Sequence, residues 1–187
     1  VTDASGNTTL QLALNMAECQ YRVTMASHGD KGALVDRGAN GGLAGADMRV
    51  IETVFGSTVD VTGIGDAAIN DLPIVQAASL IHTKIGPIIG LFNQYAYTGK
   101  GRSIHSSLQM ESWGVEVNET SRKARVPGKQ WLVNVDGHRI PIHIRNGLPF
   151  IDMTYPTDED MLKYPHVYFT SDTSWDPSIL DDEDNLD

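Results

Sequence analysis

Asp36 is the residue best placed to do acid–base chemistry. It follows the aliphatic run Ala33-Leu34-Val35 and precedes Arg37-Gly38-Ala39, after which the chain continues Asn40-Gly41-Gly42-Leu43-Ala44-Gly45. A carboxylate at the end of a buried strand is desolvated, which disfavours its ionised form unless hydrogen bonds or a paired group compensate. The glycines behind it let the backbone turn sharply. An aliphatic triplet ahead of Asp-x-Gly-Ala makes the pattern rarer than composition alone gives. The same residues also read as a turn aspartate capping its own loop amides.

Other constellations carry less. His138 and His143 are separated by four residues, so on a strand they point to opposite faces, and a metal site needs more ligands at defined spacing. His105 stands beside Ser106 and Ser107, but no Gly-x-Ser-x-Gly elbow accompanies them, and they read as polar turn residues. Gly63-Ile64-Gly65 lacks the third glycine and following helix of a dinucleotide fingerprint. Cys19, the one cysteine, closes no intrachain disulfide and anchors no zinc ribbon. Neither a metal nor a cofactor is expected, and the lone thiol points to a reducing, cytoplasmic setting.

The elements that position Asp36 read as mainly β. Val50 to Val54, Thr58 to Thr62, Ile74 to Leu80 and Ile88 to Tyr97 are β-branched or aliphatic runs divided by Gly, Asp, Asn and Pro. Trp131 to Val135, Arg139 to Ile144 and Pro149 to Met153 continue the pattern, with a hairpin turn at Asp136-Gly137. Tyr21 to Met25 reads as a strand pairing with Ala33–Val35, while Leu10 to Cys19 fits helix or strand equally. Two stretches predict short helices: Ser106 to Trp113, and Asp158 to Lys163, the latter opened by Thr157 with Asp160 at capping-box spacing. The expected organisation is a lead-in over 1–20, a β domain over 21–155, and an irregular, partly disordered acidic segment over 156–187.

Charge narrows the function classes. The chain carries a net −10, but six of its 24 acids lie from Asp176 onward, leaving 14 bases against 18 acids before it. Such a tail is a solvated terminus. Basic residues gather at Lys84, Lys100 and Arg102 and again at Arg122, Lys123, Arg125 and Lys129. Without interleaved aromatics, and in an acidic chain, they argue against a nucleic-acid partner. No apolar run approaches the roughly 20 residues that span a bilayer, so no membrane partner is expected. The chain starts at Val1 with no signal-like segment and reads as a piece of something longer.

The stretch Ala33-Leu-Val-Asp-Arg-Gly-Ala-Asn-Gly-Gly-Leu-Ala-Gly45 resembles the strand and loop around the catalytic Asp-(Ser/Thr)-Gly-Ala of retropepsin-like aspartic proteases. It is most similar to the protease region of copia-type LTR retrotransposon polyproteins, of the kind abundant in diatom and other microalgal genomes. The likeness extends through Val59–Gly65, Asp71–Val75, Tyr95–Gln109, Asp136–Pro141 and Arg145–Pro149. It implies a closed β-barrel with one or two short helices, and sequence from Asn146 onward leading towards an integrase part. It further implies an endopeptidase whose own polyprotein is the substrate, and a homodimer in which Asp36 meets its twin, because one chain supplies a single motif. Gly38 and Ala39 then turn the backbone under the carboxylate. A covering flap falls at Gly63, Ile64 and Gly65, which also read as an ordinary hairpin turn.

Where the family has Ser or Thr after the aspartate, this chain has Arg37. Guanidinium only donates hydrogen bonds and carries a fixed charge, so it cannot reproduce a hydroxyl bond across the dimer; beside Asp36 it would favour the ionised carboxylate, unless strand alternation aims it to the opposite side. The alternative is therefore a catalytically inactive β domain used for dimerisation or protein binding. An aliphatic-aliphatic-Gly element behind the active loop falls either at Ile88-Ile89-Gly90 or in the register Ile104 to Leu108.

Overall fold

The computed structural model describes residues 32–63, 67–123, 130–133 and 136–181. The lead-in, the strand expected at Tyr21–Met25, and Cys19 lie outside them. The described chain is mainly β, as the divided aliphatic runs predict. In order it forms β1 (Ala33–Asp36), β2 (Leu43–Ala44), β3 (Arg49–Thr62), β4 (Ala68–Thr83), β5 (Gly86–Tyr97), β6 (Ile104–Ser106) and the short helix α1 (Ser107–Glu111). There follow β7 (Glu116–Asn118), β8 (Trp131–Val133), β9 (Arg139–Pro141), β10 (His143–Arg145), β11 (Leu148–Ile151), β12 (Met153–Thr154), helix α2 (Asp158–Lys163), β13 (His166–Tyr168) and a 3-10 turn at Pro177–Leu180.

Ten of the described strands make one sheet with the path β10-β11-β1-β6-β2-β5-β4-β12, while β7, β8 and β9 make a second. One apolar cluster joins the two: Val35, Phe92, Tyr95 and Ile151 from the first, Leu132 and Ile140 from the second. At β1 the reason is plain in the sequence. Three aliphatic residues in a row bury both faces of the strand, and Ala33, Leu34 and Val35 are almost wholly inaccessible.

The expectation of a closed barrel is corrected: no closed barrel is found among the described residues. The two long central strands divide their edges among short partners. β4 pairs with β5 along one edge and splits the other between β3 and β12. β5 likewise splits its outer edge between β13 at Ile89–Leu91 and β2 at Ala96–Tyr97. Branching of this kind uses up the edges that a ring would need. β11 and β12, which pair with β1 and β4 respectively, are separated in the chain by Asp152 alone.

Two further differences have local causes. The run Arg139–Ile144 is cut at Ile142, so that β9 joins the small sheet and β10 the large one, where Asn146-Gly147, both at positive φ, make a two-residue hairpin turn to β11. The segment from 156 is not irregular through its described part. α2 has the predicted capping box between Thr157 and Asp160, and β13 adds to β5 in parallel with Val167 and Phe169 buried. Two apolar residues at period two are too short a signal to stand out against polar neighbours.

Candidate active site

Asp36 ends β1 half-buried, where the strand empties into the loop 37–42. Its Oδ1 accepts the Gly38 amide at 2.8 Å, and its carbonyl accepts the Ala39 amide at 3.4 Å. The carboxylate thus shapes its own turn while remaining at the lip of a cleft of about 510 Å³, whose other walls include Arg37, Glu119, Ile144 and Leu148. The space at Gly38 is tight, because a Cβ there would lie 3.2 Å from Asp36 Oδ1.

Arg37 is committed to other acids. Its guanidinium binds Glu111 in a two-pronged contact of 3.0 and 2.8 Å and donates Nε to Glu119 at 2.8 Å. Hydrogen bonds to Glu111 and then Glu119 raise its pKa further above the ordinary arginine value. The guanidinium is thus directed to Glu111 and Glu119, and these two carboxylates offset its charge. The side chain instead ties the active loop to the end of α1 and to the strand exit after β7. Ser107 Oγ reaches the other oxygen of Glu119 at 3.4 Å.

Beneath the loop lies β6, parallel to β1, with Asp36 opposite Ser106. Of the two registers open for the element behind the loop, the one at Ile104–Leu108 occupies this place, whereas Ile88–Gly90 sits in β5 against β13. Ser106 does two jobs: its Oγ donates to the Ala39 carbonyl at 2.6 Å and accepts the Gln109 amide at 3.2 Å, capping α1. Gln109, itself buried, accepts the Gly42 amide through Oε1 at 2.8 Å and donates Nε2 to the carbonyls of Asn93 and Gln94.

His105 and Ser106 are not the polar turn residues the sequence implied. Both are wholly buried in β6. The Tyr95 hydroxyl lies 2.9 Å from His105 Nδ1, the tilted Phe92 ring has its centroid 4.6 Å from that of the imidazole, and burial pushes the imidazole down to about 3. Tyr95 in turn fixes the glycine loop, because a Cβ on Gly42 would fall 2.2 Å from its ring.

Across from the loop stands the β3–β4 hairpin. Hairpin residues Ser57–Thr62 and loop residues Asn40–Leu43 line one groove of about 420 Å³, to which Trp175 and Pro177 also contribute. Of the flap candidates, Gly63 is described and donates its amide to the Ala67 carbonyl at 2.8 Å, closing the end of the hairpin. Ile64 and Gly65 lie outside the described residues. The sequence reading missed Glu111, Glu119, Gln109 and Trp175 as parts of this region. One signal was present, since Glu111 is the first acid after the acid-free stretch 72–110.

Among the described residues no cluster of three or more metal-ligating side chains forms, and no helix is long and apolar enough to cross a membrane. No family model, curated protein or solved structure matches the chain.

Proposed function

We propose that the chain is an aspartic endopeptidase domain of the retropepsin-like kind, cut from a retrotransposon polyprotein and hydrolysing peptide bonds of that polyprotein. One observation carries the reading: Asp36 ends a buried strand at a cleft, and the loop that follows it faces a long β-hairpin across a neighbouring groove. The rigid base formed by β1, β6 and α1 supports it, because hydrolysis needs a carboxylate held in place.

The chemistry requires a second carboxylate within a few ångströms, and Asp36 of the partner subunit in a twofold dimer supplies it. Two like charges that close share one proton near neutrality. The ionised partner takes a proton from the attacking water, and the protonated one gives its proton to the carbonyl oxygen. The experiment is cleavage of fluorescein-labelled casein by the full chain between about pH 4 and 7, the range in which a shared proton survives. Asp36→Asn is expected to abolish cleavage. Equal cleavage by the variant, or none by the unmodified chain at any pH, refutes the peptidase.

The Arg37 clamp favours a second reading, a β domain without activity that dimerises or binds protein, because three charge-assisted hydrogen bonds occupy the place of a small hydroxyl. Arg37→Ser separates the two. A rise in casein cleavage places residue 37 at the dyad. No cleavage, with stability lowered by about 1 kcal/mol for the loss of a largely exposed ion pair network, assigns it to the scaffold alone.

A further inference from the structure

The end of the described chain returns to the loop behind Asp36. After β13 the path is firmly held at Thr170, which is buried, donates Oγ1 to the Asn93 carbonyl at 2.8 Å and accepts the Asn93 amide at 2.7 Å. Gln94 Nε2 then donates to the Asp172 carbonyl at 3.2 Å. From Asp172 to Ser174 the chain is exposed. At Trp175 it touches down again: the indole Nε1 donates to the Asn40 carbonyl at 2.7 Å, and the ring lies against Gly41, where a Cβ would be 3.8 Å away.

Trp175 and Pro177 therefore wall the same groove whose other sides are the glycine loop and hairpin residues Ser57–Thr62. We propose that residues 174–177 are an autoinhibitory strap, which narrows the groove between the glycine loop and the hairpin by walling one side of it. Release of Trp175 from Asn40 would widen the path of a polypeptide between hairpin and loop. The inference rests on the peptidase reading for its consequence, but the seating itself rests on the contacts of Trp175.

The two anchors differ in the way such a device needs. Thr170 is locked to β5 by two hydrogen bonds between its hydroxyl and the Asn93 backbone, whereas Trp175 is half-buried and held by one hydrogen bond to a carbonyl and one ring face. The exposed residues between them form the hinge. Asp176 turns away to cap the 3-10 turn, its Oδ1 accepting from the Ser178 amide and hydroxyl at 3.0 and 2.7 Å.

The test compares the full chain with Trp175→Ala and Trp175→Phe. Trp175 lies outside the buried core, so both variants keep the fold. Amide exchange of residues 39–43 reports the seating and is expected to quicken about five- to ten-fold in Trp175→Ala, as for loss of one hydrogen bond. Trp175→Phe, which keeps a ring without the donor, falls between. Cleavage of fluorescein-labelled casein reports access and is expected to rise in the same order. Unchanged exchange with equal cleavage by all three proteins overturns the strap and leaves the Asp36 reading standing. Faster exchange with no cleavage by any of them overturns the peptidase and supports the seating.

Discussion

The two walls that face each other across the groove are built in opposite ways. Beneath Asp36, β1, β6 and α1 are largely buried, and backbone groups of the loop are held by side chains: Gly38 by Asp36, Ala39 by Ser106, Gly42 by Gln109. The opposing hairpin is exposed along most of β3, its register broken by three irregularities, with Phe55 fully exposed beside Gly56 at positive φ. A wall made of buried, mutually satisfied groups holds one geometry. A bulged and solvated ribbon has few apolar contacts to lose when it moves. On the proposed peptidase reading, the difference divides the labour: one side holds the acid and the other is free to admit or cover a chain.

Three measurements bear on that contrast. The largest effect is expected from acid. His105, at the heart of the rigid wall, is held neutral down to about pH 3 against an ordinary value of 6.5, with burial as the cause. Its folded value is depressed, so the unfolded chain binds a proton that the folded chain refuses. The stabilisation is complete above pH 6.5 and is lost as pH falls towards 3, by up to about 4 kcal/mol. Urea unfolding at pH 7, 5 and 4 follows the loss, and a stability flat through this window contradicts a buried neutral imidazole at this position.

Next comes the glycine loop. Gly42→Ala places a methyl group 2.2 Å from a Tyr95 ring whose hydroxyl is held at His105. Because neither side can give way cheaply, thermal or urea unfolding should show about 3 kcal/mol of destabilisation. A loss below about 0.5 kcal/mol would mean the loop shifts freely, and the contrast with the hairpin would fail. The smallest effect belongs to the hairpin itself: Phe55→Ser is expected to change stability by less than about 0.5 kcal/mol, since the side chain buries nothing. A larger drop in the unfolding midpoint would show that the arm is packed in solution.

Some of this was legible in the residues and some was not, for reasons that can be assigned. The aliphatic triplet before Asp36, the long β-branched runs and the Thr157–Asp160 capping box are local patterns, set by burial periodicity and by hydrogen bonds three residues apart. They appear in the structure where the chain order places them. The Arg37 clamp was not legible, because it joins residues 74 and 82 positions apart. The burial of His105 was hidden as well, since its neighbours Ser103, Ser106 and Ser107 are polar in composition and yet lie inside. A polar residue enters a core only where partners from remote strands satisfy it, and composition does not name those partners.

The amino-acid sequence alone determined that this chain is mainly β, that a carboxylate stands at the end of a buried strand, and that glycines turn the backbone behind it. Those features depend on neighbours within a few residues. Only the tertiary structure decided that the described sheet branches instead of closing, that Arg37 binds Glu111 and Glu119, and that Trp175 lies on Asn40, 135 residues away in the chain. Each of these is a choice among several edges or acceptors of similar local chemistry, and it is settled by which segments the common core brings into contact.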